Sequence, residues 1–140
     1  MKPLHPIAQT EMLIAIAIAR LATEVFSIEQ LLKLAGEAAQ WAERFPSFDR
    51  RSPDEWAEIA DLLANRASRL VPGAQCLQRA LASRVWLARR GIDAQIVVGF
   101  RKRGTLEGHA WLELQLSGGP STLFKGFEDG YRESFREAAA

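Results

Sequence analysis

One thiol and two imidazoles are the groups in this 140-residue chain best suited to nucleophilic attack and proton transfer near neutral pH. The thiol is Cys76, in the stretch PGAQCLQRALASRVWLARRG over residues 72–91. It follows a Pro-Gly turn and heads a segment with an amphipathic helical pattern. A helix start offers unpaired N–H groups and the positive end of the dipole, and both favour thiolate, the form that attacks a carbonyl. His5 falls in what reads as an N-terminal tail. His109 falls in GHAWLEL, a run that predicts a strand. An imidazole facing the start of the Cys76 helix would serve as general base and later as general acid. Both residues also have plain structural uses, because a lone cysteine often fills a core and a strand histidine often only packs. These residues alone leave both readings open.

The elements around them are legible in outline. Residues 10–23 predict a first helix, capped by Thr10 and rich in Ile, Leu and Ala. Ser27 with Gln30 opens a second over 28–44. After the connector FPSFDRRSPDEW, Ser52, Pro53 and Glu55 form a capping box with the favoured proline, and a third helix runs over 53–70. A fourth covers 76–90 and stops at Gly91. The sequence then turns β-rich. DAQIVVGFRKRG and GHAWLELQL read as two strands around Gly104, and STLFKGF as a third beyond a Ser-Gly-Gly turn. The expected class is α+β, with N-terminal helices followed by a Cys-bearing helix packed on a small antiparallel sheet. One domain over 1–140 is expected, divided into a helical part (1–50) and a core (51–140) that holds the chemistry.

Composition narrows the function classes. A net charge of +1 gives no electrostatic case for nucleic acid or a membrane surface. The apolar run MLIAIAIA over 12–19 falls short of the roughly 20 residues of a membrane span and predicts a buried helix. A single cysteine fits a reducing compartment, so a cytoplasmic location is expected. Two histidines and one cysteine argue against a closed zinc site, and neither metal nor cofactor is expected.

The segment CLQRALASRVWLARRGIDAQIVVGFRKRG, with HAWLE after it and RASRLVPGAQC ahead, resembles the peptidase domain of lasso-peptide biosynthesis B proteins. These are transglutaminase-like, papain-like cysteine proteases. The shared pattern is a Cys-Leu helix start, a basic helix end with Gly-Ile, a strand into Gly-Phe, then His-Ala-Trp-x-Glu. The resemblance implies Cys76 as nucleophile and His109 as base and acid. It implies hydrolysis of one peptide bond to remove the leader from a ribosomally made precursor. Its implied partners are that precursor, a leader-recognition protein acting in trans, and an ATP-dependent lasso cyclase.

The family's third catalytic residue, an aspartate on the next strand, has no match here, since LQLSGGPSTLF contains no acid. If Gly118 and Gly119 centre the hairpin, Glu128 faces His109, and a one-residue slip brings Asp129 there instead. A backbone carbonyl or an amide side chain could also hold the imidazole. Glu113 lies roughly 13 Å along the strand from His109, too far to orient it. Gln75 could help an oxyanion or be a solvated turn residue. Trp111 could wall a peptide cleft or sit in a core, and Arg101–Arg103 read as an exposed hairpin turn. Two other functions fit the same residues: acyl transfer to an amine, and a non-catalytic binding module of the same fold.

Overall fold

The computed structural model describes residues 3–126 and 130–138. Four helices precede four strands: α1 (Pro6–Val25), α2 (Ile28–Ala42), α3 (Pro53–Leu70), α4 (Cys76–Ala88), then β1 (Ala94–Arg103), β2 (Thr105–Leu116), β3 (Gly119–Leu123) and β4 (Arg132–Arg136). The class is α+β.

Helix starts follow from their caps. At α2, Ser27 Oγ accepts from the Gln30 N–H at 3.2 Å and Gln30 Oε1 accepts from the Ser27 N–H at 2.9 Å. Ser52 and Glu55 make the same reciprocal pair at α3. Helix α1 begins earlier than Thr10 would set it. Pro6 takes the first turn and His5 is the cap, its Nδ1 accepting from the Ile7 N–H at 3.1 Å. Thr10 instead donates to the Pro6 carbonyl within the first turn. The extension gives α1 20 residues, so by length and composition it could cross a membrane. In the fold one of its faces, Ala8, Met12, Ile16 and Ala19, is buried in the core.

Helix α4 is the axis of the molecule, touching the other three helices on one side and β1 and β2 on the other. Small residues at Ala80, Ala82, Ser83 and Ala88 let its neighbours come close, and all four are buried. Trp86 anchors it, with Nε1 donating to the Ala8 carbonyl at 3.0 Å and its ring edge-on to Trp56 at 5.5 Å. The helix ends at Ala88, and Gly91 turns the chain at φ +77°.

The sheet is antiparallel in the order β3-β2-β1-β4. Side chains alternate between its faces. Ala94, Ile96, Val98, Ala110, Leu112 and Leu114 join the helices in one core cluster. Val97 and Trp111 are buried outside that cluster, on the other face. The first hairpin turns at Gly104 (φ +74°), and β1 runs through Arg103, so the Arg101–Arg103 stretch is strand rather than turn. Arg101 faces Glu107 across the ladder and pairs with it at 2.8 Å.

The second hairpin differs from the sequence expectation by two residues. Leu116 pairs with Gly119 and Leu112 with Leu123, so the turn centres on Ser117 and Gly118. Asp54, in the first turn of α3, fixes it: its carboxylate accepts from the Ser117 N–H at 3.1 Å and from Ser117 Oγ at 2.6 Å. These bonds hold the Asp54 carboxyl below the usual carboxylate range. Strand β4, which the hydropathy pattern did not suggest, covers the free edge of β1 with a register shift between Val98 and Gly99. Beyond β4, Glu137 is buried and paired with the equally buried Arg84 of α4 at 3.0 Å.

Candidate active site

Cys76 is the first residue of α4, half-buried and packed against the core cluster. Gln75 is exposed at the cap position, and its N–H donates to Gln78 Oε1 at 2.9 Å. Gln78 in turn is held by Thr23 Oγ1 of α1 at 3.0 Å. The first turn carries no acidic side chain, and a helix's first N–H groups have no acceptor within it, so the tip is electropositive. Arg79, three residues on, lays its guanidinium over the Phe124 ring at 5.9 Å. Its buried Nε has no hydrogen-bond partner.

His109 lies on β2 opposite Gly99 of β1. Its Nε2 is 2.9 Å from the carbonyl oxygen of Lys125. A carbonyl only accepts, so Nε2 carries the proton and Nδ1 keeps the lone pair. In the neutral ring this leaves Nδ1 as the acceptor nitrogen, with the tautomer set by a backbone carbonyl. The carbonyl is aimed by Phe124, whose φ of +68° is the one positive value at a non-glycine residue among the described residues. The turn at Phe124 ends β3, directs its ring to the core and Arg79, and brings Lys125 beside the opposite face, with Nζ 5.4 Å from the Trp111 ring.

The imidazole shares that opposite face with Trp111, stacked at 6.0 Å, and with Tyr131 at 5.2 Å. Arg101 lies over the Tyr131 ring at 4.5 Å. Ala110, not His109, points from this part of β2 toward the helices. Cys76, packed against the core, and His109, on the opposite face of the sheet, are therefore not brought together, and no hydrogen bond joins the sulfur to the ring. Sequence reasoning placed both residues on the expected elements but did not foresee the face of the strand. It also missed Phe124, Lys125 and Tyr131. Gly99 was an available signal: a Cβ there would meet Trp111 Cη2 and the Arg132 carbonyl, each at 3.0 Å, so any larger residue opposite the imidazole crowds both.

The register of the β2–β3 hairpin differs from the one that set Glu128 opposite His109. Extending the β2–β3 pairing puts residue 126, not 128, across from His109. Glu128 and Asp129 themselves lie outside the described residues. Glu113 serves a different purpose. Arg136 of β4 donates to it at 2.6 Å and to Glu133 at 2.6 Å, tying β4 across β1 to β2. The Arg136 hydrogen bond holds the Glu113 carboxyl below the ordinary carboxylate range, and the two carboxylates raise Arg136 in return. An 800 Å³ hollow bordered by Arg84, Gln95, Glu113 and Thr122 includes neither Cys76 nor His109 in its lining. Among the described residues no group of three His, Cys, Asp or Glu side chains could hold a metal ion.

Comparison with known proteins gives one match. The family described as the transglutaminase-like superfamily matches residues 15–133, a span that contains Cys76, His109, all of β1–β3 and the start of β4. No curated protein and no solved structure matches the chain.

Proposed function

Because this chain belongs to the transglutaminase-like superfamily, whose members include cysteine peptidases and acyltransferases, we propose that it is a cysteine peptidase. We take its substrate to be a ribosomally made lasso-type precursor, from which it removes the leader. The observation that carries the reading is the Lys125 carbonyl on His109 Nε2, which leaves Nδ1 as a base beside the Phe124–Lys125 corner that Arg79 reaches from the Cys76 helix.

In this reading Nδ1 takes the Cys76 proton, and the thiolate attacks the scissile carbonyl carbon. The C–N bond breaks as the imidazolium returns the proton to the leaving amine. Water, deprotonated by the same nitrogen, then hydrolyses the thioester and regenerates the thiol. In the same reading the Cys76 N–H at the helix tip, helped by the Gln75 side chain, receives the oxyanion. The couple must close for this, and because the imidazole stands on the sheet face away from α4 the closure needs a movement of the β2 backbone rather than of the side chain alone. Leader recognition comes from a protein in trans, and an ATP-dependent cyclase takes the product. The reading places the chain in the cytoplasm, where a thiol stays reduced.

A second reading, a non-catalytic binding module of the same fold, is favoured by the imidazole's place on the sheet face away from α4. One experiment separates them: incubate the protein with a lasso-type precursor and a leader-recognition protein, and weigh the products. Two fragments whose masses sum to the precursor plus one water, absent with Cys76→Ala and with His109→Ala, are expected. An amine adduct in place of the added water means acyl transfer. Intact precursor that stays bound means the binding module and refutes the peptidase.

A further inference from the structure

Helix α1 carries a second apolar face that the fold does not use. Ile7, Ile14, Ile18, Leu21 and Val25 are each more than half exposed. At 3.6 residues per turn all five fall within a sector of about 60°, a straight stripe about 27 Å long. Their spacing follows a heptad seam, 7–14–21 and 18–25, opposite the Met12 and Ile16 face already packed in the core. The residues flanking the stripe are small: Thr10, Ala15, Ala17 and Ala22. The nearby charges are already engaged, Glu11 with Arg89 and Arg90, and Glu24 with Arg20.

The stripe's spacing also says what covers it. Four of the five, Ile7, Ile14, Ile18 and Val25, are separated by seven, four and seven residues, a pattern that reads the same in either direction, while Leu21 falls opposite Glu11 in that pairing. An antiparallel copy of α1 therefore sets Ile7 against Val25 and Ile14 against Ile18 twice over, as a two-fold interface requires. Beside Ile18 an apolar groove of 240 Å³, lined by Ala15, Ala22, Leu34, Ala38 and Val85, has room for an aliphatic side chain from the facing helix. An interfacial membrane helix would carry lysine or arginine along its polar face. The only base on α1 is Arg20, which pairs with Glu24 and donates to the Pro72 carbonyl. We propose that α1 is a self-association surface and that this protein pairs with a second copy through an antiparallel α1–α1 contact.

The test is sedimentation and light scattering of the intact protein from low to high micromolar concentration. A concentration-dependent dimer is expected. Ile18→Glu puts a carboxylate at both symmetric positions and is expected to raise the dimer dissociation constant about 100-fold or more while leaving the helical circular dichroism unchanged. Orientation is read by crosslinking in a Cys76→Ser background. Mixed Ile14→Cys and Ile18→Cys chains should form the 14–18 disulfide faster than either forms its own homodimer. A monomer at every concentration, equal association by Ile18→Glu, or preferred 14–14 and 18–18 bonds would overturn the proposal. So would co-flotation of the wild-type protein with phosphatidylcholine or phosphatidylglycerol vesicles, which assigns the stripe to lipid.

Discussion

Replacing Glu137 by alanine tests how the Cys76 helix is fastened to the sheet. The Arg84 side chain is 5% exposed and Glu137 7%, joined Nε to Oε1 at 3.0 Å and Nη2 to Oε2 at 3.2 Å. Glu137 Oε1 also accepts from the Ile96 N–H of β1. Its Oε2 lies 3.1 Å from where a Cβ on Gly36 of α2 would stand, so one carboxylate meets α2, α4 and β1 at once. Without it the guanidinium keeps only Asp93, at 3.4 Å and 88% exposed, where water screens the pair. Breaking a buried pair from one side costs about 3–5 kcal/mol, chiefly because the remaining charge stays buried. For a domain of this size that lowers Tm by roughly 10–20 °C. Thermal and urea denaturation followed by circular dichroism read it directly. Glu137→Gln, which keeps the shape and loses the charge, should fall between wild type and alanine. Arg84→Met with Glu137→Leu should recover most of the loss, since no charge is then stranded. A Glu137→Ala protein within about 1 kcal/mol of wild type would refute the reasoning.

Other expectations follow from the site. Phe124 holds a left-handed backbone, so Phe124→Gly should be more stable than Phe124→Ala by about 1 kcal/mol, the reverse of the order in a helix or strand; equal midpoints in urea would mean that the backbone there is unstrained. The Glu113 carboxyl titrates below its unfolded value of 4.5, so its contribution to stability is present above that pH and is lost as pH falls through the lower folded value. Glu113→Gln should therefore flatten the acid side of a plot of Tm against pH from about 6 to 3, and an unchanged slope would remove the Arg136 bridge from the account.

Much of this was legible in the residues because local chemistry decides it. Ser27 with Gln30, Ser52 with Glu55, and Gly91 and Gly104 at positive φ set their boundaries through bonds a few residues long. The α+β order came from the change of period after Gly91. What could not be read depends on distant parts of the chain. The second hairpin is placed by Asp54, more than sixty residues upstream of Ser117. His5, read as tail, caps α1 because Pro6 fixes the first turn. Strand β4 has polar residues at most of its positions and exists because β1 offers it an edge and Arg136 a pair of carboxylates. The side of β2 on which His109 stands is a matter of register, since one residue of slip moves it to the other face.

The rate of Cys76 alkylation by iodoacetamide, measured across pH in the wild type and in His109→Ala, tests the sulfur–imidazole couple most directly. The account predicts a wild-type rate near neutral pH well above that of a free thiol, and a lower rate when the imidazole is removed and only the helix tip favours the thiolate. A wild-type rate no faster than a free thiol, or one indifferent to His109, would contradict it.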